Sequence, residues 1–123
     1  MPFISIGALL ALLGVAAGAF GAHALRDHLD PARMQAFETA ARYQLLHALA
    51  LLFVGAKAPS APRAGAGLAG GLFVAGVLLF SGSLYALVLT GVPAWGAVTP
   101  FGGLCFMAGW AVLAFAFWPR RPA

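Results

Sequence analysis

The sequence predicts an all-α integral membrane four-helix bundle, with an interfacial amphipathic extension at the start of the second helix. Three observations predict it. Hydrophobic residues make up 63% of the 123-residue chain and charged residues only 8%, where a soluble domain carries about a quarter charged. Apolar stretches recur at lengths that cross a bilayer, which takes about 20 residues. Glycines repeat at helical spacing within those stretches, as close helix contacts in lipid require. A water-soluble chain this short would leave too much of its apolar surface exposed.

The length allows one domain, residues 1–123, with spans at about 3–22, 36–56, 68–90 and 101–118. The first span carries no charge. It resembles a signal peptide, because it ends in Ala22-His23-Ala24. No Lys or Arg precedes it, however, and it exceeds the usual apolar core of roughly 7–15 residues. The third span runs from Leu68 to Thr90 without a charge, and the fourth is opened by Pro100 and closed by Pro119.

The second span is the informative one. Its cleanly apolar stretch, 48–55, is too short to cross, so the inserted helix has to take in Glu38, Arg42, Tyr43, Gln44 and His47 or hold them at the headgroups. Asp30 as N-cap and Pro31 at the first helical position mark its start. Met34, Phe37, Ala41 and Leu45 keep a helical period while the charges fall on other faces. One long helix from Pro31 to Gly55 follows, with interfacial first turns.

Charge orients the bundle. Arg26, Arg33 and Arg42 balance Asp27, Asp30 and Glu38 on one side, whereas Lys57, Arg63, Arg120 and Arg121 meet no acid on the other. The whole formal charge of +4 lies on one face, so both termini are expected in the cytoplasm. The basic residues are scattered over loops and termini and form no stripe for nucleic acid. Gly7, Gly14 and Gly21 recur every seven residues; Gly14 with Gly18, and Gly67 with Gly71, form G-x-x-x-G. These faces serve packing within the chain or a homo-oligomer, and the sequence does not separate the two.

Intramembrane polar residues are the first place to look for function. Here His23, Glu38, Arg42, Tyr43, Gln44, His47, Ser81, Ser83, Tyr85 and Thr99 are all expected in the leaflet opposite the termini. Glu38 and Arg42 stand i,i+4 in the favourable order, and the tips of Tyr43, Gln44 and His47 share a helix face. The plain reading is a hydrogen-bond network that locks the helices, since donors and acceptors in lipid need partners. The sharper reading is a pocket that holds a ligand or relays protons through the histidines.

The blocks Gly18-Ala-Phe-Gly-Ala-His-Ala-Leu25, residues 37–49 (FETAARYQLLHAL), Phe80-Ser-Gly-Ser-Leu-Tyr85, Thr99-Pro-Phe-Gly-Gly103 and Gly109-Trp110 together resemble the YgdD-like family of small four-span membrane proteins. That family is domain of unknown function 423 and includes transmembrane protein 256. The resemblance covers nearly the whole chain. It implies a four-span protein of bacterial inner membranes and brings no activity with it.

Other motifs carry less. Gly65-Ala-Gly67-Leu-Ala-Gly70 matches G-x-G-x-x-G, but Pro59 and Pro62 precede it instead of a strand. Two histidines on separate helices, with Asp27 or Glu38, are a weak metal or haem signal, so no cofactor and no metal are expected. Ser81 or Ser83 as a nucleophile would need an orienting acid. Cys105 is alone among apolar neighbours and reads as an inert thiol. Trp95 and Trp118 sit at span ends like an aromatic belt, and Trp110 mid-span packs between helices.

The best-supported function is a binding or accessory membrane protein. Its partners would be membrane lipids, a small amphipathic ligand or a larger membrane complex. The alternatives are an oligomeric transporter or proton-coupled channel, weakened by polar groups in only one leaflet, and a His-ligated haem or metal enzyme.

Overall fold

A computed structural model describes residues 2–122; Met1 and Ala123, the ends of the expected domain, lie outside the described residues. Among the described residues the ordered structure is entirely helical. Helix α1 spans Phe3–Leu25, α2 Pro31–Lys57, α3 Ala66–Thr90 and α4 Thr99–Phe117. A 3-10 turn over Pro93–Ala97 leads into α4. Three helices are long and apolar enough to cross a membrane: Phe3–Leu25, Ala66–Thr90 and Pro93–Phe117. Helix α2 is longer still, but its charged first half dilutes its hydropathy.

The boundaries follow from local chemistry. Asp30 accepts a hydrogen bond from the Arg33 backbone N–H at 2.8 Å, which satisfies a donor that a helix start leaves unpaired. Pro31 follows at the first helical position, where its missing N–H is no loss. Helix α3 ends where Gly91 turns left-handed, with φ of +71°, a conformation that glycine adopts without a Cβ penalty. Arg33 packs against that turn, so a cation sits by the negative end of α3. The opposite end of the molecule repeats the device. Arg63 donates to the carbonyls of Trp118 at 3.3 Å and Pro119 at 3.4 Å, just past the end of α4.

Helix α1 packs along α2, α4 packs along α3, and α2 and α3 meet between these pairs. Glycine brings the backbones together. A Cβ on Gly7 would lie 2.8 Å from the Ala48 carbonyl, one on Gly14 would strike Leu45, and one on Gly21 would strike Phe37. The heptad-spaced glycines of α1 therefore form the seam with α2. In α4, Gly102 abuts the backbone of Phe80, and Gly109 faces the Phe73 ring. Gly67 and Gly71 differ: a Cβ on either would meet nothing within 4 Å.

Both α1 and α3 widen into a π-helical stretch, over Ala16–Gly21 and Val77–Ser81. Such a stretch adds a residue to the turn and re-aims the side chains that follow it. The exterior is apolar along the helices. Phe20 is 75% exposed, Leu89 71% and Met107 69%. A soluble monomer exposes no such continuous surface, because apolar patches beyond a few hundred Å² are rare in water.

Candidate functional site: a bonded polar interior beside an open crevice

The polar side chains of α2 and α3 find their partners inside the molecule. Tyr85 donates from its hydroxyl to Gln44 Oε1 at 2.8 Å, and Gln44 Nε2 donates to the Leu10 carbonyl at 2.8 Å. Three helices are thereby tied through one amide. Ser81 donates to the Ala40 carbonyl at 2.8 Å, and Ser83 shares a hydroxyl–hydroxyl bond with Thr99. Ser81 and Tyr85 thus face α2 while Ser83 faces α4, all of them at or just beyond the π stretch of α3. Among the described residues no buried side-chain polar atom lacks a partner.

His47 is 3% exposed and held in a box of rings. Phe106 stacks on it with centroids 3.6 Å apart and planes 8° apart, and Phe73 and Trp110 close the sides at 5.5 Å and 5.7 Å. Its Nδ1 lies 2.7 Å from the Tyr43 carbonyl, which can only accept, so Nδ1 carries the proton. The Trp110 indole N–H, which can only donate, approaches Nε2 at 3.0 Å. Both contacts select one neutral tautomer and occupy both ring nitrogens. A second proton on Nε2 would face the indole donor. This geometry gives His47 neither a free lone pair for a metal nor a path for relaying protons.

The remaining sequence-selected residues stand apart. His23 is exposed at the end of α1, with Nδ1 3.3 Å from Arg26 Nη2. Glu38 and Arg42 are exposed on α2, and no ion pair joins them; the ion pair present among the described residues is Arg33–Asp30 at 4.0 Å. The spacing of Glu38 and Arg42 allowed a contact, but long side chains facing outward gain little by holding one geometry. Tyr43 is 37% exposed; its ring lies 4.7 Å from Phe80, and its carbonyl rather than its hydroxyl meets His47. The structure therefore gathers Gln44, His47, Ser81, Ser83, Tyr85 and Thr99, and leaves His23, Glu38 and Arg42 at the surface. The partners Leu10 and Trp110 lie about 10 Å of helix from the charged end, at Phe3 and Phe117.

Sequence reasoning missed Trp110 as a polar partner of His47. It missed the Leu10 and Ala40 carbonyls too, which carry no residue-type signal. An indole N–H within an apolar stretch needs an acceptor, and that was the signal available for Trp110, although the residue is 46% exposed.

Beside this interior, α2 and α4 meet through rings rather than backbone. His47 touches Phe106, and Phe53 and Phe117 stand 5.2 Å apart. The gap they leave is a sideways-opening crevice. One part, of about 440 Å³, is lined by Ala50, Phe53, Trp110, Leu113, Ala114 and Phe117. A second, of about 290 Å³, continues from Trp110 past His47 to Gly103.

Fold and interior together define a small all-helical protein with an apolar exterior, a polar interior that satisfies itself among the described residues, and an apolar crevice between α2 and α4. Residues 17–103 match the family described as "Protein of unknown function (DUF423)", and the chain belongs to that family. It is 43% identical to a UPF0382 membrane protein of Staphylococcus aureus over 114 residues, 93% of each chain. It is 46% identical to one of Staphylococcus epidermidis over the same share. It is also 42% identical to the UPF0382 membrane protein YwdK of Bacillus subtilis, over 93% of this chain and 94% of that one. No solved structure matches the chain.

Proposed function

We propose that this chain is a polytopic protein of the bacterial inner membrane, in which all four helices cross the bilayer as a bundle and both termini face the cytoplasm. It acts by binding rather than by catalysis: its α2–α4 crevice takes the hydrocarbon part of an amphipathic molecule. Three helices of spanning length and relatives named as membrane proteins support the location. The charge asymmetry supports the orientation, with Lys57, Arg63, Arg120 and Arg121 at one end and the three acids at the other. The first turns of α2, with Glu38 and Arg42 exposed, suit the headgroup region on the far side.

One observation carries the binding reading. Every buried polar side chain among the described residues is already bonded within the protein, while the hollow of about 440 Å³ between α2 and α4 is lined by apolar side chains and opens to the side. A site of that make-up recognises hydrocarbon, because pockets bind through apolar walls and orient through a few polar groups. Native mass spectrometry of protein gently extracted from its membrane tests this. Retained lipid-sized adducts are expected, and they should disappear in Ala114→Phe, which fills the crevice from its open side. Adducts that persist unchanged in Ala114→Phe would locate the binding elsewhere.

A further inference from the structure

The crevice does not end in featureless surface. Its wider part runs along α4 from Trp110 to Phe117 and along α2 from Ala50 to Phe53. Phe53 and Phe117, 5.2 Å apart, form its end toward the chain termini. One helical turn beyond Phe53 stands Lys57, exposed, and three residues beyond Phe117 stands Arg120, also exposed, followed by Arg121. The fourth cation at this end is already committed. Arg63 donates to the Trp118 and Pro119 carbonyls and lies 5.3 Å from the Phe115 ring centroid. No acidic side chain exists at this end, since Asp27, Asp30 and Glu38 all lie at the other.

We propose that the α2–α4 crevice is a docking site for an anionic glycerophospholipid, one acyl chain lying between Phe53 and Trp110 and the phosphate held by Lys57, Arg120 and Arg121. The proposal rests on the bilayer and binding reading above and adds the ligand class and the headgroup charge. Length agrees with it. From Phe117 to Trp110 is about 10 Å of helix and to Gly103 about 21 Å, which brackets the roughly 15 Å of half a hydrocarbon core. Charge agrees as well, because each free cation next to an anionic headgroup adds attraction that a zwitterionic lipid does not return. The hollow between α1 and α3, lined by Leu10, Gln44, Val77 and Tyr85, is smaller at about 190 Å³. Its polar groups are already bonded within the protein.

Trp110 lies in the crevice wall, so it reports occupancy directly. The full chain carrying Trp95→Phe and Trp118→Phe, leaving Trp110 as the fluorophore, is placed in vesicles of phosphatidylcholine. These contain acyl-brominated phosphatidylglycerol or, at equal content, acyl-brominated phosphatidylcholine. Quenching by the anionic lipid should report an association constant about fivefold higher or more, the effect of one cation near an anionic surface. Adding Lys57→Gln, Arg120→Gln and Arg121→Gln should return the ratio to about one. A reporter at similar depth on the outer face of α1, Leu9→Trp with all native tryptophans replaced by Phe, should show a ratio near one throughout. A ratio of one at Trp110, or the same preference at position 9, overturns the proposal. Displacement by free glycerol phosphate would overturn it as well, in favour of a headgroup-only site. The two readings fail separately. Equal quenching by both lipids that still exceeds position 9 removes the charge preference and leaves the crevice. Quenching at Trp110 no greater than at position 9 removes the crevice itself.

Discussion

The α1–α2 seam and the α2–α4 crevice share a helix, yet they are built in opposite ways. Along the seam, Gly7, Gly14 and Gly21 let α1 lie so close that Ala48, Leu45 and Phe37 fill the space a side chain would need. Gln44 can then reach the Leu10 carbonyl directly. Across the crevice the spacers are Phe53, Phe106, Trp110 and Phe117. Rings hold the helices apart and leave volumes of about 440 and 290 Å³ between them. Small residues yield contact, and large flat ones yield contact with gaps. Where lipid supplies no hydrophobic drive between helices, that choice of residue size decides which faces seal and which stay open.

This contrast can be broken at graded strength. The largest effect is expected from Gly7→Val, which drives a branched side chain into the Ala48 carbonyl and Leu51. Overpacking against backbone should cost about 3 kcal/mol or leave no folded protein, read by thermal melting of helical circular dichroism in detergent. Next is Gln44→Leu, which strands the Tyr85 hydroxyl and removes the side-chain bond to the Leu10 carbonyl. A loss of about 2 kcal/mol is expected, and Tyr85→Phe in the same background should cost little more, since the two share a bond. His47→Leu should destabilise by about 1–2 kcal/mol, because the Trp110 N–H and the Tyr43 carbonyl lose their partner. Cys105→Ala, at a half-buried thiol without a bond, should shift the melt less; equal shifts for these two variants would contradict the ring box. In the crevice, Ala114→Phe should change stability by less than about 0.5 kcal/mol, as a surface-facing substitution does. A large loss there would mean the gap closes in the membrane. The smallest effect separates packing from assembly. Gly67→Ala with Gly71→Ala meets open space and should stabilise an isolated chain slightly through helix propensity. A loss of stability that depends on protein concentration would instead mark that face as a contact between copies.

Legibility differed between the two regions for a physical reason. The seam is written in residue type: seven-residue glycine spacing and a second helix short of apolar residues both survive in one dimension. Ser81, Ser83, Tyr85, Gln44, His47 and Thr99 could be picked out because polar side chains in an apolar run need partners. His23, Glu38 and Arg42 were picked out by the same rule and lie at the surface, His23 at the end of α1 and the other two on outward faces of the first half of α2. Which partner each buried group takes was not legible. Four of the acceptors are backbone carbonyls, Leu10, Ala40, Tyr43 and Phe80, and every residue has one.

Alone, the sequence determined that the chain is helical, where its helices lie, and that its charge gathers at one end, because composition and period act locally. It also marked α2 as the helix that carries polar groups, since its cleanly apolar stretch is short. Tertiary structure decided that His47 is locked by Trp110, that α1 closes on α2, and that α2 and α4 stay apart. Those outcomes depend on how far apart two helices stand, which is set by the bulk of side chains from both at once.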